Sequence, residues 1–125
     1  MRPATEEEHR RKCTPEMVGW YDALKTFMRG LGDDVAVCPT LQYVGFWRTR
    51  TARRTRIFAY VNFRPRDNLL YIDVLRPPHE IPFTPGLRTR VAGSGWRERL
   101  LRVDVDSTEN VEQAKWLLDQ SYQEA

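Results

Sequence analysis

Three runs between Leu41 and Val74 constrain this chain more than anything else in it: LQYVGFWR, RIFAYVNF and LLYIDV. Each is short and crowded with β-branched and aromatic residues, the signature of strands. The links between them are only a few residues long. Links that short join antiparallel neighbours and leave no room for a parallel crossover, so an antiparallel meander is expected. Alternation puts Leu41, Tyr43, Gly45 and Trp47 on one face of the first run, with Gln42, Val44, Phe46 and Arg48 on the other. In the second run Ile57, Ala59, Val61 and Phe63 share a face, and Phe58 and Tyr60 share the opposite one. Apolar groups lie on both faces, so alternation alone does not say which is inside. Gly45 in mid-strand points to a bulge or to a close approach by another element.

The flanks supply helices. Thr14-Pro15 is a helix start, because the Thr hydroxyl can accept from a free amide and Pro loses nothing at the first helical position. Met17, Trp20, Tyr21, Leu24, Phe27, Met28 and Leu31 follow at three- and four-residue steps, an apolar stripe that must lie on something. Gly30 and Gly32 end it, with a left-handed cap expected there. Before it, residues 1–13 are charge-mixed and read as a frayed tail with a solvated His9. Val35 to Cys38 makes a short strand stopped by Pro39, and Leu69 to Leu75 and Leu100 to Val105 make two more. Asp106-Ser107-Thr108-Glu109 opens a closing helix whose buried side is Val111, Ala114, Leu117, Leu118, Ser121 and Tyr122, with Trp116 off the stripe. Arg76 to Trp96 holds four of the eight prolines and three glycines, and reads as a long irregular loop of the kind that often carries function. The predicted fold class is α+β: an N-terminal helix, about five mainly antiparallel strands and a C-terminal helix. Both helices pack on one sheet face, in a single domain spanning 14–125.

With 125 residues, 41% hydrophobic and 30% charged, the chain can build one real core. No apolar run approaches the roughly 20 residues that span a bilayer, and the charged N-terminus has no hydrophobic segment of a secretory signal. No membrane association and a cytoplasmic location are therefore expected. Two cysteines and two histidines make a Cys/His metal site an unfavoured reading. Asp73, Asp104 and Asp106 lie on or beside strands, but Lys12, Lys25 and Lys115 all fall outside the sheet. The acid pair and lysine of a restriction-type nuclease are thus missing. His79-Glu80 sits in a Pro-rich loop, and Cys38 shows no activating neighbour. No P-loop and no G-x-S-x-G elbow occurs. No catalytic residue, metal or cofactor is assigned.

Positive charge is the remaining signal: 17 Arg against 3 Lys, at a net +3. The guanidinium fork matches phosphate and carboxylate geometry. Arg48, Arg50, Arg53, Arg54 and Arg56 crowd a nine-residue stretch without an acid, expected as a hairpin tip, and Arg64 and Arg66 follow at the next turn. With Phe46, Trp47, Phe58 and Tyr60 nearby as stacking groups, the expected partner is DNA or RNA. The alternative is a protein partner or small anion held by the loop at 76–96. There Arg88 and Arg90 would clasp the charge, with Trp96 either a stacking wall or a plug in the core. A homodimer is compatible with either reading.

The pattern L-x-Y-V-G-F-x-R at 41–48, F-A-Y-V at 58–61, Val91-Ala92-Gly93-Ser94-Gly95-Trp96, and Ser107 to Tyr122 together resemble the bacterial family called domain of unknown function 5655. The resemblance runs through most of the chain from Pro15 onward. It implies the same helix, sheet and helix order. It also implies an accessory role near nucleic acid, since members stand alone or are appended to restriction-type nucleases and defence proteins. This chain departs from the pattern at Gly95, where a His is usual, at Arg97-Glu98-Arg99, and in the length of its arginine loop.

Overall fold

The computed structural model describes residues 5–50, 57–76 and 84–125. Helix α1 spans Glu6–Arg11 and α2 spans Pro15–Arg29. Strands β1 (Val35–Pro39), β2 (Tyr43–Arg48), β3 (Ile57–Arg64), β4 (Leu69–Leu75), β5 (Thr89–Val91) and β6 (Leu100–Val105) follow, and α3 (Thr108–Glu124) closes the chain. The described strands form one six-stranded sheet in the order β1-β2-β3-β4-β6-β5, antiparallel at every pairing. The fold is α+β, with helices packed on one side of the sheet. One strand more than expected is present: β5 lies inside the stretch read as irregular. Its three residues are too few to show a period, and it exists by pairing with β6.

Both long helices start where their caps dictate. Thr14 accepts from the Met17 N–H at 3.2 Å, and Ser107 accepts from the Asn110 N–H at 3.1 Å. Met17, Trp20, Tyr21, Leu24 and Met28 of α2 are buried, as are Val111, Ala114, Leu117, Leu118 and Tyr122 of α3. They meet Val44, Phe46, Ala59, Val61, Leu70, Ile72, Val74, Leu101, Val103 and Val105 from the sheet in one core. Gly30 ends α2 in a right-handed conformation (φ −77°), not in the left-handed one expected. Gly32 is demanded by space instead: a Cβ there would overlap the Tyr122 hydroxyl.

Residues 6–11, expected within a frayed tail, form α1 and are fastened down. Glu6 receives Lys25 Nζ at 2.8 Å and the Tyr21 hydroxyl at 2.5 Å, and Arg10 pairs with Asp22. His9 is buried rather than solvated. Its ring stacks on Phe63 with centroids 4.9 Å apart, and Nε2 donates to the Thr40 carbonyl at 2.6 Å. A charge-rich helix of six residues has no visible apolar stripe, so its docking through one His and one Glu escapes a search for periodicity.

Two details of the sheet differ from simple alternation. Strand β2 begins at Tyr43, not Leu41. Thr40 Oγ1 accepts from the Gln42 and Tyr43 amides, closing a turn that leaves Leu41 68% exposed. In β3 the register slips opposite Phe46 and Trp47, which pair with Ala59 and Ile57. Phe58 is the extra residue of a bulge. It therefore joins Ala59 on the helix side, against Phe46 and Tyr122, rather than sharing a face with Tyr60.

Candidate functional site on the open face of the sheet

The helices cover one side of the sheet, and the pairing registers fix what the other side carries. One row across the strands reads Tyr43, Asn62, Tyr71, Asp104. The next reads Gly45, Tyr60, Asp73, Arg102, Arg90. These positions alternate with the buried Val44, Val61, Ile72 and Val103, so the pleat itself turns them outward. Above them hangs a short 3-10 turn, Gly95–Arg99, which carries Trp96 and Arg97. Gly95 has φ +67°, a conformation that favours glycine.

Tyr43, Asn62, Tyr71, Tyr60, Asp73 and Arg102 of these rows, with Trp96 and Arg97 of the turn, line a cleft of about 600 Å³. Its aromatic members are Tyr43, Tyr60, Tyr71 and Trp96; its charged members are Arg64, Arg97, Arg102 and Asp73. Tyr43 and Tyr60 meet edge to face at 4.9 Å, and Trp96 lies 6.5 Å from Tyr60, tilted by 52°. Asn62 sits between Tyr43 and Tyr71 in its row and supplies a donor and an acceptor. Burial, helped by Tyr43 and Asp73, pushes the Tyr60 phenol above its ordinary value, so it keeps its proton and can donate. Asp73 is neutralised in place: Arg102 grips it with Nε at 2.8 Å and a terminal nitrogen at 3.0 Å. That hydrogen bonding raises the Arg102 value further and fixes its charge. Arg102 also lies over the Tyr71 ring in company with Arg64, the two at 4.2 and 5.4 Å from its centre. Among the described residues, Arg64, Arg66 and Arg97 have no carboxylate partner, and all three are exposed.

The arginines singled out from sequence divide sharply. Arg53, Arg54 and Arg56, with His79 and Glu80, lie outside the described residues. Arg48 is a structural tie. Its Nε donates to Asp34 at 3.0 Å, a terminal nitrogen donates to the Tyr122 carbonyl at 3.2 Å, and its plane lies 4.1 Å from the Tyr122 ring centre. Arg50 pairs with Asp33. The expectation that this cluster has no matching acid therefore fails for both residues, because Asp33 and Asp34 come from the turn before β1, too far away in sequence to be counted. Arg88 holds Asp104 at 3.3 Å and Asp106 at 2.9 Å, and Arg90 holds Asp104 at 3.1 Å. These two are spent on acids of the same molecule rather than aimed at an anion. Phe46 and Phe58, offered as stacking groups, are in the core.

Trp96 is on the surface, 61% exposed, and not plugged into the core. Arg64 opens onto the cleft as well. Tyr43, Asn62, Tyr71, Arg97 and Arg102 went unrecognised. The signal was present in the centre of four strands, where Tyr43, Tyr60 and Asn62, Tyr71 and Asp73, and Arg102 and Asp104 alternate with apolar residues. Reading it required knowing that Phe58 is a bulge, since without that the face of β3 changes sides.

Among the described residues no group of three or more His, Cys, Asp or Glu is placed to hold a metal ion, and no helix is long and apolar enough to cross a membrane. Both cysteines are free thiols. No family model, curated protein or solved structure matches the chain.

Proposed function

We propose that this protein is a non-enzymatic binding module that docks single-stranded nucleic acid on the open face of its sheet. The observation that carries the proposal is the cleft, in which aromatic rings alternate with cationic groups on a rigid antiparallel floor. Unpaired bases present π-faces to stack and a phosphate every nucleotide, and a sheet bearing both kinds of group suits them. A duplex hides its base faces and gains nothing from Tyr43, Tyr60 or Trp96. Among the described residues, Arg64, Arg66 and Arg97 are cations available to phosphate. The arginine-rich segment 49–56 links β2 to β3, the strands that carry Tyr43, Tyr60 and Asn62. Its Arg53, Arg54 and Arg56 enter the proposal through that connection.

The test is a titration of labelled single- and double-stranded oligonucleotides over a salt series. Single strands bind more tightly, and log K falls linearly with log salt. Arg64→Glu with Arg97→Glu weakens binding and flattens the slope by about 0.7 for each phosphate contact removed, while the melting temperature stays close to that of the parent because both side chains are exposed. Absent binding, or affinity indifferent to salt, removes the proposal.

A further inference from the structure

Trp96 is the least explained residue on the surface. Large apolar side chains this exposed are informative, because leaving an indole in water forgoes a large burial gain. Nothing in the core uses it. Its described ring neighbours are Tyr60, 6.5 Å away, and the Arg97 guanidinium, 5.6 Å away. It hangs from a turn that begins at Gly95 with a positive φ. Gly93 lies under the Arg97 stem, and a Cβ at that glycine would come within 3.1 Å of Arg97 Cδ. The backbone is thus shaped to lay Arg97 along the turn while Trp96 overhangs Tyr60.

The spacing is informative. A planar ring stacked between two others needs about 3.5 Å on each side, about 7 Å in all. At 6.5 Å and a 52° tilt, Trp96 and Tyr60 touch as an ordinary tilted aromatic pair, and a base enters only where the indole turns away from Tyr60. The indole is 61% exposed, so it has room to turn outward and open the pair to the spacing that a base needs. Asn62 lines the same cleft and carries both a donor and an acceptor for a base edge. Arg64 and Arg97 line the same cleft, available to the phosphates flanking that base.

Resting on the sheet face as the docking surface for single strands, we propose that Trp96 and Tyr60 form a slot for one unpaired purine base, with its flanking phosphates on Arg64 and Arg97. A purine is favoured because its two fused rings match the area of the indole, and stacking strength grows with overlap. The same chemistry is offered by a purine within a strand and by a free purine nucleotide. A strand is favoured over the free nucleotide because two separate cations, Arg64 and Arg97, line the cleft and suit the phosphates on both sides of one base.

The full chain is titrated with a thymidine oligonucleotide holding a single 2-aminopurine, with an all-thymidine oligonucleotide of equal length, and with AMP. The 2-aminopurine emission is quenched on binding, and its strand binds more tightly than the all-thymidine one. Trp96→Ala abolishes the quench and weakens the strand about ten- to a hundredfold, with the salt slope unchanged because no phosphate contact is lost. Trp96→Phe keeps most of the affinity. If Trp96→Ala binds the strand as the parent does, with the parent's steep salt slope, the slot is wrong and the sheet face still stands. If no oligonucleotide binds, the sheet face itself is wrong. AMP competing only at concentrations far above the strand supports the strand assignment, and AMP binding as tightly as the strand overturns it.

Discussion

Asp34 decides what Arg48 does. The carboxylate accepts from the Tyr122 hydroxyl at 2.6 Å and from Arg48 Nε at 3.0 Å. The Tyr122 hydrogen bond is the main influence on its titration. Against the opposing pull of burial, that bond and Arg48 hold Asp34 below the usual aspartate value. A depressed folded value means the charged form is what the fold favours. Its stabilisation is complete above about pH 4, the ordinary aspartate value, and fades as the pH falls through the lower folded value. Asp34→Asn should accordingly cost about 3 kcal/mol at neutral pH, since a partly buried arginine loses its counter-charge. In urea denaturation the gap between parent and variant should narrow below about pH 4; a gap of the same size at pH 3 would show that the charge is not what matters. The same residues explain why counting neighbouring acids in sequence misjudged Arg48. An ion pair across 14 positions is closed by the first two strands, and no local window contains it.

At the scale of elements, the bulge at Phe58 shapes both sides of the sheet. It turns Phe58 and Ala59 inward together and lets Tyr60, Asn62 and Arg64 stay outward in register with Tyr43 and Asp73. The closing helix locks it. Ser121 is fully buried; its Oγ donates to the Phe58 carbonyl at 2.5 Å and accepts from the Leu75 N–H at 2.9 Å. Replacing it by alanine leaves both backbone groups buried and unpaired. Ser121→Ala should therefore cost about 1–3 kcal/mol in chemical denaturation, and the loss should fall on amide-exchange protection at Leu75 in particular. Much of this layer was legible. Thr14 and Ser107 announced their helices, the apolar steps of α2 and α3 gave their buried sides, and β4 and β6 begin and end where alternation placed them. Gly45 pointed to a bulge or close approach in this strand pair, but the bulged residue itself was not legible, because a two-residue inward pair looks like any apolar dipeptide until its partner strand is known. Strand β5 was not legible either, being three exposed residues whose only strand-like property is a neighbour.

At the scale of the molecule, the two sides of the sheet have opposite tasks. Helices α2 and α3 bury one, and what remains is a floor of tyrosines, an asparagine and paired arginines beneath a tryptophan-bearing turn. The net charge of +3 is modest, so any phosphate recognition depends on where the unpaired cations sit rather than on their number. In the sequence the densest run of positive charge is the arginine-rich stretch after β2. In the fold, Arg48 and Arg50 of that stretch are matched to acids, while Arg64 and Arg97 border the cleft without one among the described residues. The central claim is therefore about location, and amide chemical-shift mapping addresses it most directly. On titrating the labelled protein with a short single-stranded oligonucleotide, the largest shifts should fall on Tyr43, Tyr60, Asn62, Tyr71 and the Trp96 indole N–H, with Trp20, Val111 and Trp116 on the helices unmoved. Shifts confined to α2 and α3, or no shifts at saturating oligonucleotide, would contradict it.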